Sequence, residues 1–253
     1  MKNVFDVKKM PIGILGLGIL GFALRAGLYV AAMDEKSLLL RFHPLEWALW
    51  LVAALTAGLV VWGVWGLCGS QKYEHNFGPS KAAAWGSGLF AGGIGVTVLL
   101  SGLPVARLDQ ACWLFGVLAA ASLAAGAVCR ARGQKPFFLL HCAVCVYLAL
   151  YMVNHYQPWS STPQLQHYVF QLLAVVSMTM FAYYQAAFAL GLGRRRRYLA
   201  LGLLGGFCCV TSLAHTQDFL LYLTGAVWCL TGLCNWEPVP AEPAKEAPKE
   251  DGV

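Results

Sequence analysis

Residues 45–68 read LEWALWLVAALTAGLVVWGVWGLC, and the single charged side chain among them, Glu46, stands at the very start. A hydrocarbon layer about 30 Å thick is crossed by roughly 20 helical residues at about 1.5 Å each. This stretch is long enough, and wound as a helix it is apolar around its whole circumference. Such a helix has no face for water, so its surroundings are lipid or other helices.

Seven further segments follow the same pattern on either side of it: 11–33, 83–103, 111–129, 136–154, 167–192, 197–214 and 218–235. The last two are separated only by the polar stretch His215-Thr216-Gln217-Asp218, and one passage across both would be too long. Within lipid, a helix satisfies its backbone hydrogen bonds inside one segment, whereas strands would need alternating units of about ten residues, and none is visible. The predicted fold is all-α: a polytopic transmembrane bundle of about eight helices over 11–235. Residues 1–10 form a cytoplasmic N-terminus. Residues 236–253 are rich in Pro and charge and form a disordered cytoplasmic tail.

Composition agrees. Of the 253 residues, 58% are hydrophobic and 12% charged, against about 25% charged in a soluble domain. The 27 glycines lie mostly inside apolar runs, where small residues let helix backbones approach closely. Lys8 and Lys9 ahead of the run at Pro11 resemble a signal peptide. That run continues to Met33 through Arg25 without a clear cleavage site, and reads as an uncleaved first span.

The net charge of +6 is concentrated at span ends. With the N-terminus inside, Lys2, Lys8, Lys9, Lys72, Lys81, Arg130, Arg132, Lys135, Arg194, Arg195, Arg196, Arg197, Lys245 and Lys249 lie on the inner side, and only Lys36, Arg41 and Arg107 on the outer. The positive-inside bias therefore predicts a multi-pass protein of the cell membrane with both termini cytoplasmic. Trp47, Trp50, Trp113, Trp159, Tyr168 and Tyr222 fall near the outer interface, and Trp62, Trp65, Trp85 and Trp236 near the inner one. The Arg194–Arg197 run is expected to fix topology and touch anionic lipid headgroups. No basic stripe interleaved with aromatics is present, so nucleic acid is not an expected partner.

A weak echo links spans 1–4 to spans 5–8. Asp109-x-x-x-Trp113-Leu114-x-Gly116 opens span 4, and Asp218-x-x-x-Tyr222-Leu223-x-Gly225 opens span 8. Two halves of four spans share an orientation, so the expected relation is a parallel repeat.

Few residues inside the spans carry chemistry. The centres of spans 2–8 contain no Lys, Arg, Asp or Glu, which argues against a carrier built on a mid-membrane carboxylate. Arg25 is the one charge within a span. Either its head snorkels to the outer interface, or it faces the bundle interior, where it would hold an anionic group or pair with Glu46, Asp109 or Asp218. His141 and Gln185 fall at comparable depth and are expected to form an interhelical polar pair. His43, His155, His167 and His215 share the outer side with Glu46, Asp109 and Asp218. These are groups able to bind a metal or sense pH, but they sit on separate loops without ligand spacing, so no metal is expected. Cys142-x-x-Cys145 lies inside an apolar span, where a thiolate is costly; it reads as packing, as does Cys208-Cys209, and no disulfide is expected. Gly16-Leu-Gly18 and Gly92-Gly93-Ile-Gly95 follow no strand and are not nucleotide loops. No nucleophile elbow, His-Glu-x-x-His or P-loop is found, so no catalytic residue and no cofactor is assigned.

Three function classes remain. A small-solute transporter or channel would line a cavity with Arg25, Tyr29, Tyr147, Tyr151 or Gln171. A non-enzymatic sensor or assembly subunit would bind a membrane protein partner. An enzyme acting on a lipid or envelope precursor would need outer groups such as His155, His215 and Asp218 to converge in one pocket.

Overall fold

The computed structural model describes residues 9–31, 43–65, 71, 73–74, 76–102, 106–160, 168–214, 216 and 218–234, without the side chains of 157–160. His167, His215 and the segments 1–8 and 236–253 lie outside the described residues. The described residues form eight α-helices and no strand: α1 (Met10–Ala31), α2 (Pro44–Trp65), α3 (Lys81–Leu100), α4 (Arg107–Ala131), α5 (Phe138–Ser160), α6 (Val169–Ala189), α7 (Arg195–Ser212) and α8 (Phe219–Cys234).

Local chemistry sets the ends. Pro44 opens α2 at the position where a missing N–H costs nothing. Ser80 caps α3, its hydroxyl oxygen accepting the Ala83 N–H at 3.1 Å. The chain leaves α3 and α4 through Gly102 (φ 72°) and Gly133 (φ 68°), left-handed positions that a side chain would strain.

Six of the eight helices are long and apolar enough to cross a membrane: α1 to α6. Their outward faces carry large apolar side chains, with Ile12 71%, Val30 89%, Leu99 75% and Leu100 78% exposed. Trp47, Trp62, Trp65 and Trp85 are exposed near helix ends. This pattern fits a helical membrane bundle. The two remaining helices are shorter, 18 and 16 residues, and α7 begins inside the arginine run. α7 lies against α1, α2, α6 and α8, and most of its residues are buried. A helix enclosed by its neighbours has little surface for lipid to select.

The helices α3, α4, α5, α6, α7 and α8 each pack on the next, and α8 packs back on α3, closing a six-helix ring. α1 lies outside the ring against α7, and α2 against α1 and α7. The ring closes along a glycine–threonine seam. Gly86 faces Thr231 and Gly93 faces Thr224, one pair two turns from the other in antiparallel register. Between them Phe90 stacks on Trp228 at 4.7 Å. In the expected four-plus-four repeat α2 and α3 would correspond to α6 and α7; α6 packs on α7, while α2 and α3 share no contact among the described residues.

The two ends differ in charge. Lys81, Arg130 and Arg194–Arg197 gather at one end, and Glu46, Asp109 and Asp218 at the other. They are called the basic and acidic ends below. Toward the basic end the ring is filled with aromatics: Trp228 meets Phe181 edge-on at 4.9 Å, Phe181 stacks on Tyr198 at 4.5 Å, and Tyr198 meets Phe77 and Phe188 edge-on. Toward the acidic end it opens into a cavity.

Candidate functional site: a pocket at the acidic end

The cavity has a volume of about 580 Å³ and is enclosed by the ends of α3, α4, α5 and α8. α5 supplies its polar wall. Tyr147, Tyr151, Asn154 and His155 recur at helical spacing and so share one face. α4 contributes Asp109 in its first turn, then Cys112 and Trp113. Asp218 and Phe219 enter where α8 begins, and Thr97, Val98 and Ser101 close the α3 side.

Consecutive residues of α5 each hold one carboxylate. The Asn154 amide donates to Asp109 Oδ1 at 2.9 Å. His155 Nε2 lies 3.3 Å from Asp218 Oδ2, the same oxygen to which the Tyr151 hydroxyl donates at 2.5 Å. The other ring nitrogen of His155, Nδ1, lies 3.0 Å from the Tyr151 carbonyl oxygen, and the imidazole stacks on the Tyr151 ring at 3.9 Å. Burial would raise the Asp218 carboxyl, but the hydrogen bonds from His155 and Tyr151, with the His155 charge, outweigh it and hold the group below the usual carboxylate range.

The pocket gathers Tyr147, Tyr151, Asp109, His155 and Asp218 from the residues expected by sequence. It does not take in the rest. Arg25 and Tyr29 line a separate cavity of about 30 Å³ with Glu46, Trp50 and Phe170, between α1, α2 and α6. Arg25 is 2% exposed. Its guanidinium donates to the Thr211 carbonyl at 3.3 Å and lies 5.5 Å from the Phe170 ring and 5.9 Å from the Tyr29 ring. The side chain turns into the helix junction, where a backbone carbonyl and two aromatic faces meet the charge. His43 sits just ahead of α2, its Nδ1 accepting the Leu45 N–H at 3.3 Å, and Gln171 is buried in the first turn of α6. The described members of the outer-face polar cluster therefore do not share one site: Asp109, His155 and Asp218 line the pocket, while Glu46 lines the cavity with Arg25.

At the basic end, the His141–Gln185 pairing gives way to another. Gln185 donates to the Tyr198 hydroxyl at 3.3 Å, and so does Arg130 at 3.3 Å. Tyr198 in turn donates to the Gly232 carbonyl at 3.4 Å. His141 is buried beside Arg130 and Gly126. Arg130, only 7% exposed, lies 4.3 Å from the Phe77 ring. Of the arginine run, Arg194, Arg196 and Arg197 are exposed, and Arg197 donates to the Tyr184 hydroxyl at 3.2 Å. Arg195 is buried, so the run is not a uniform headgroup-facing patch.

Sequence reading missed Asn154, Cys112, Trp113 and the α3 residues of the pocket. The signal for Asn154 was present in the stripe Tyr147, Tyr151, Asn154 and His155. Nothing local announced that α3 borders α8. Among the described residues, no group of three or more His, Cys, Asp or Glu is arranged to hold a metal ion. No protein-family model, no curated protein and no solved structure matches the chain.

Proposed function

We propose that the protein is a small-solute transporter of the cell membrane, crossing it eight times with both termini in the cytoplasm. The acidic-end pocket is its solute-binding site. The observation that carries this reading is the cavity itself: about 580 Å³, within the usual range for small-molecule sites of roughly 300–1,000 Å³. It opens at one end of the ring and is floored by packed aromatics, as one would expect of a site accessible from a single side. In this frame the acidic end faces outward and Arg194, Arg196 and Arg197 meet anionic headgroups on the cytoplasmic face.

The convergence of His155 and Asp218 also bears on the enzyme reading, and weakens it. Both imidazole nitrogens lie within hydrogen-bond distance of this chain's own oxygens, the Asp218 carboxylate and the Tyr151 carbonyl, so the ring is already engaged and not turned toward a nucleophile. A second observation favours a membrane partner: the surface around Ala57, Gly58, Val61, Trp62 and Trp65 on peripheral α2 forms an open apolar hollow, and a stoichiometric partner found on purification would place the protein among assembly subunits.

The test is uptake into proteoliposomes across a panel of small polar solutes, with Cys112→Trp filling the pocket. Saturable uptake that Cys112→Trp abolishes supports transport through this site. Uptake equal in both proteins contradicts it.

A further inference from the structure

The pocket's chemistry narrows the solute. Its described lining holds two carboxylates, Asp109 and Asp218, and no Lys or Arg. His155 can offset at most one of the two, so the site is negative in either state of the ring. Each carboxylate is anchored through one oxygen only: Asp109 through Oδ1 by Asn154, Asp218 through Oδ2 by Tyr151 and His155. The other oxygen of each makes no hydrogen bond among the described residues.

An independent observation points the same way. Tyr147 lines the cavity and is 1% exposed, yet among the described residues its hydroxyl has no hydrogen-bond partner. It is therefore open to a hydrogen bond with a molecule in the cavity. Trp113, Tyr147, Tyr151 and Phe219 add aromatic surface, and Val98 and Leu220 apolar surface. Carboxylates among aromatic rings form the environment that holds an organic ammonium by charge and by cation–π attraction. A bare metal ion is a poorer match, because the lining is largely aromatic and aliphatic.

Building on the proposed solute-binding role of this pocket, we infer that its solute is an organic cation: an ammonium headed toward Asp109 and Asp218, with an apolar body against Trp113 and Tyr147.

Three probes of similar size separate the possibilities: benzylammonium, benzyl alcohol and benzoate. Binding to the purified full-length protein in detergent is followed by thermal stabilisation and by quenching of tryptophan fluorescence. Benzylammonium is expected to bind saturably at least about tenfold more tightly than the other two, about the worth of one charge-assisted contact. High salt is expected to weaken it. Asp109→Asn is expected to cost about tenfold, and Tyr147→Phe less, without changing the unliganded melting temperature by more than a few degrees. Equal or tighter binding of benzoate or benzyl alcohol overturns the cation assignment while leaving a solute pocket in place. Binding of benzylammonium that is the same in wild type, Asp109→Asn and Cys112→Trp overturns the assignment to this pocket. No binding of any of the three overturns both the inference and the transport reading. The wild-type selectivity needs no variant, so a variant that fails to fold leaves the comparison intact.

Discussion

Gly93→Ala probes the seam that closes the ring. A Cβ built on Gly93 would overlap the Thr224 hydroxyl oxygen and stand 3.0 Å from Thr224 Cβ and 3.1 Å from its Cγ2. Thr224 cannot simply rotate away, because its hydroxyl donates to the Leu220 carbonyl at 2.6 Å. Either that bond breaks or α3 moves off α8, and overpacking of this kind costs about 1–3 kcal/mol. Offsetting this, Ala is the better helix former by about 1 kcal/mol, so a net loss of up to about 2 kcal/mol is expected. Thr224→Ala removes the clashing oxygen and methyl, and the remaining contact is between two Cβ atoms. The double variant should therefore recover most of the loss, with a coupling of about 1–2 kcal/mol between sites in direct contact. The assay is thermal unfolding in detergent by far-UV circular dichroism and Trp fluorescence for the four proteins of the cycle. A cycle that shows no coupling between Gly93→Ala and Thr224→Ala would refute the α3–α8 seam and with it the closed ring.

Tyr151→Phe removes one of the two hydrogen bonds that hold the Asp218 carboxyl low, at a cost of about 1.5–3 kcal/mol at neutral pH. Because the folded carboxyl is depressed, the stability that Asp218 contributes is complete above the usual carboxylate value of about 3.9 and is lost as pH falls through the lower folded value. Tyr151→Phe should therefore melt lower than wild type at neutral pH but lose less melting temperature down an acid series, so that the two profiles converge, and profiles that superimpose or stay parallel would argue against the pairing. Tyr198→Phe strips the acceptor shared by Arg130 and Gln185 and should lower stability by about 1–3 kcal/mol, read in the same unfolding assay; a neutral outcome would mean that the basic-end network is not formed. Arg25→Met keeps the aliphatic stem but leaves the Thr211 carbonyl without its donor, and should cost about 1.5–3 kcal/mol, whereas a snorkelling Arg25 would give a change near zero.

The helices were legible in the sequence because hydropathy is a local property. Residues 45–68 announce α2 (Pro44–Trp65) without reference to any other segment, and the polar break before Asp218 was enough to separate α7 from α8. Their arrangement was not legible. That Gly93 faces Thr224 depends on two segments more than a hundred residues apart, and glycine in an apolar run looks the same on a lipid face as in a seam. Gly88 and Gly92 have open space where Gly86 and Gly93 have a threonine. Depth sorting placed Asp109, His155 and Asp218 at one level, and they line one cavity because residues at one level of a bundle meet if their helices are neighbours. It failed for Glu46 and Arg25 because depth carries no information about position around the ring. Arg130 illustrates the opposite failure. It counted as an inner-loop charge, yet it is the last buried residue of α4, with its guanidinium over Phe77, because residues just ahead of α3 lie against the end of α4: the Ser80 N–H donates to the Arg130 carbonyl at 3.2 Å.

The central claim is a membrane-embedded bundle whose acidic-end pocket opens to the outside. Asn154→Cys, in a background with the nine native cysteines replaced, places a thiol in that pocket, and Arg132→Cys places one at the basic end. Labelling of intact cells with a membrane-impermeant maleimide should modify Asn154→Cys directly and Arg132→Cys only after permeabilisation. Labelling of Arg132→Cys in intact cells, with Asn154→Cys protected until the membrane is opened, would contradict the account.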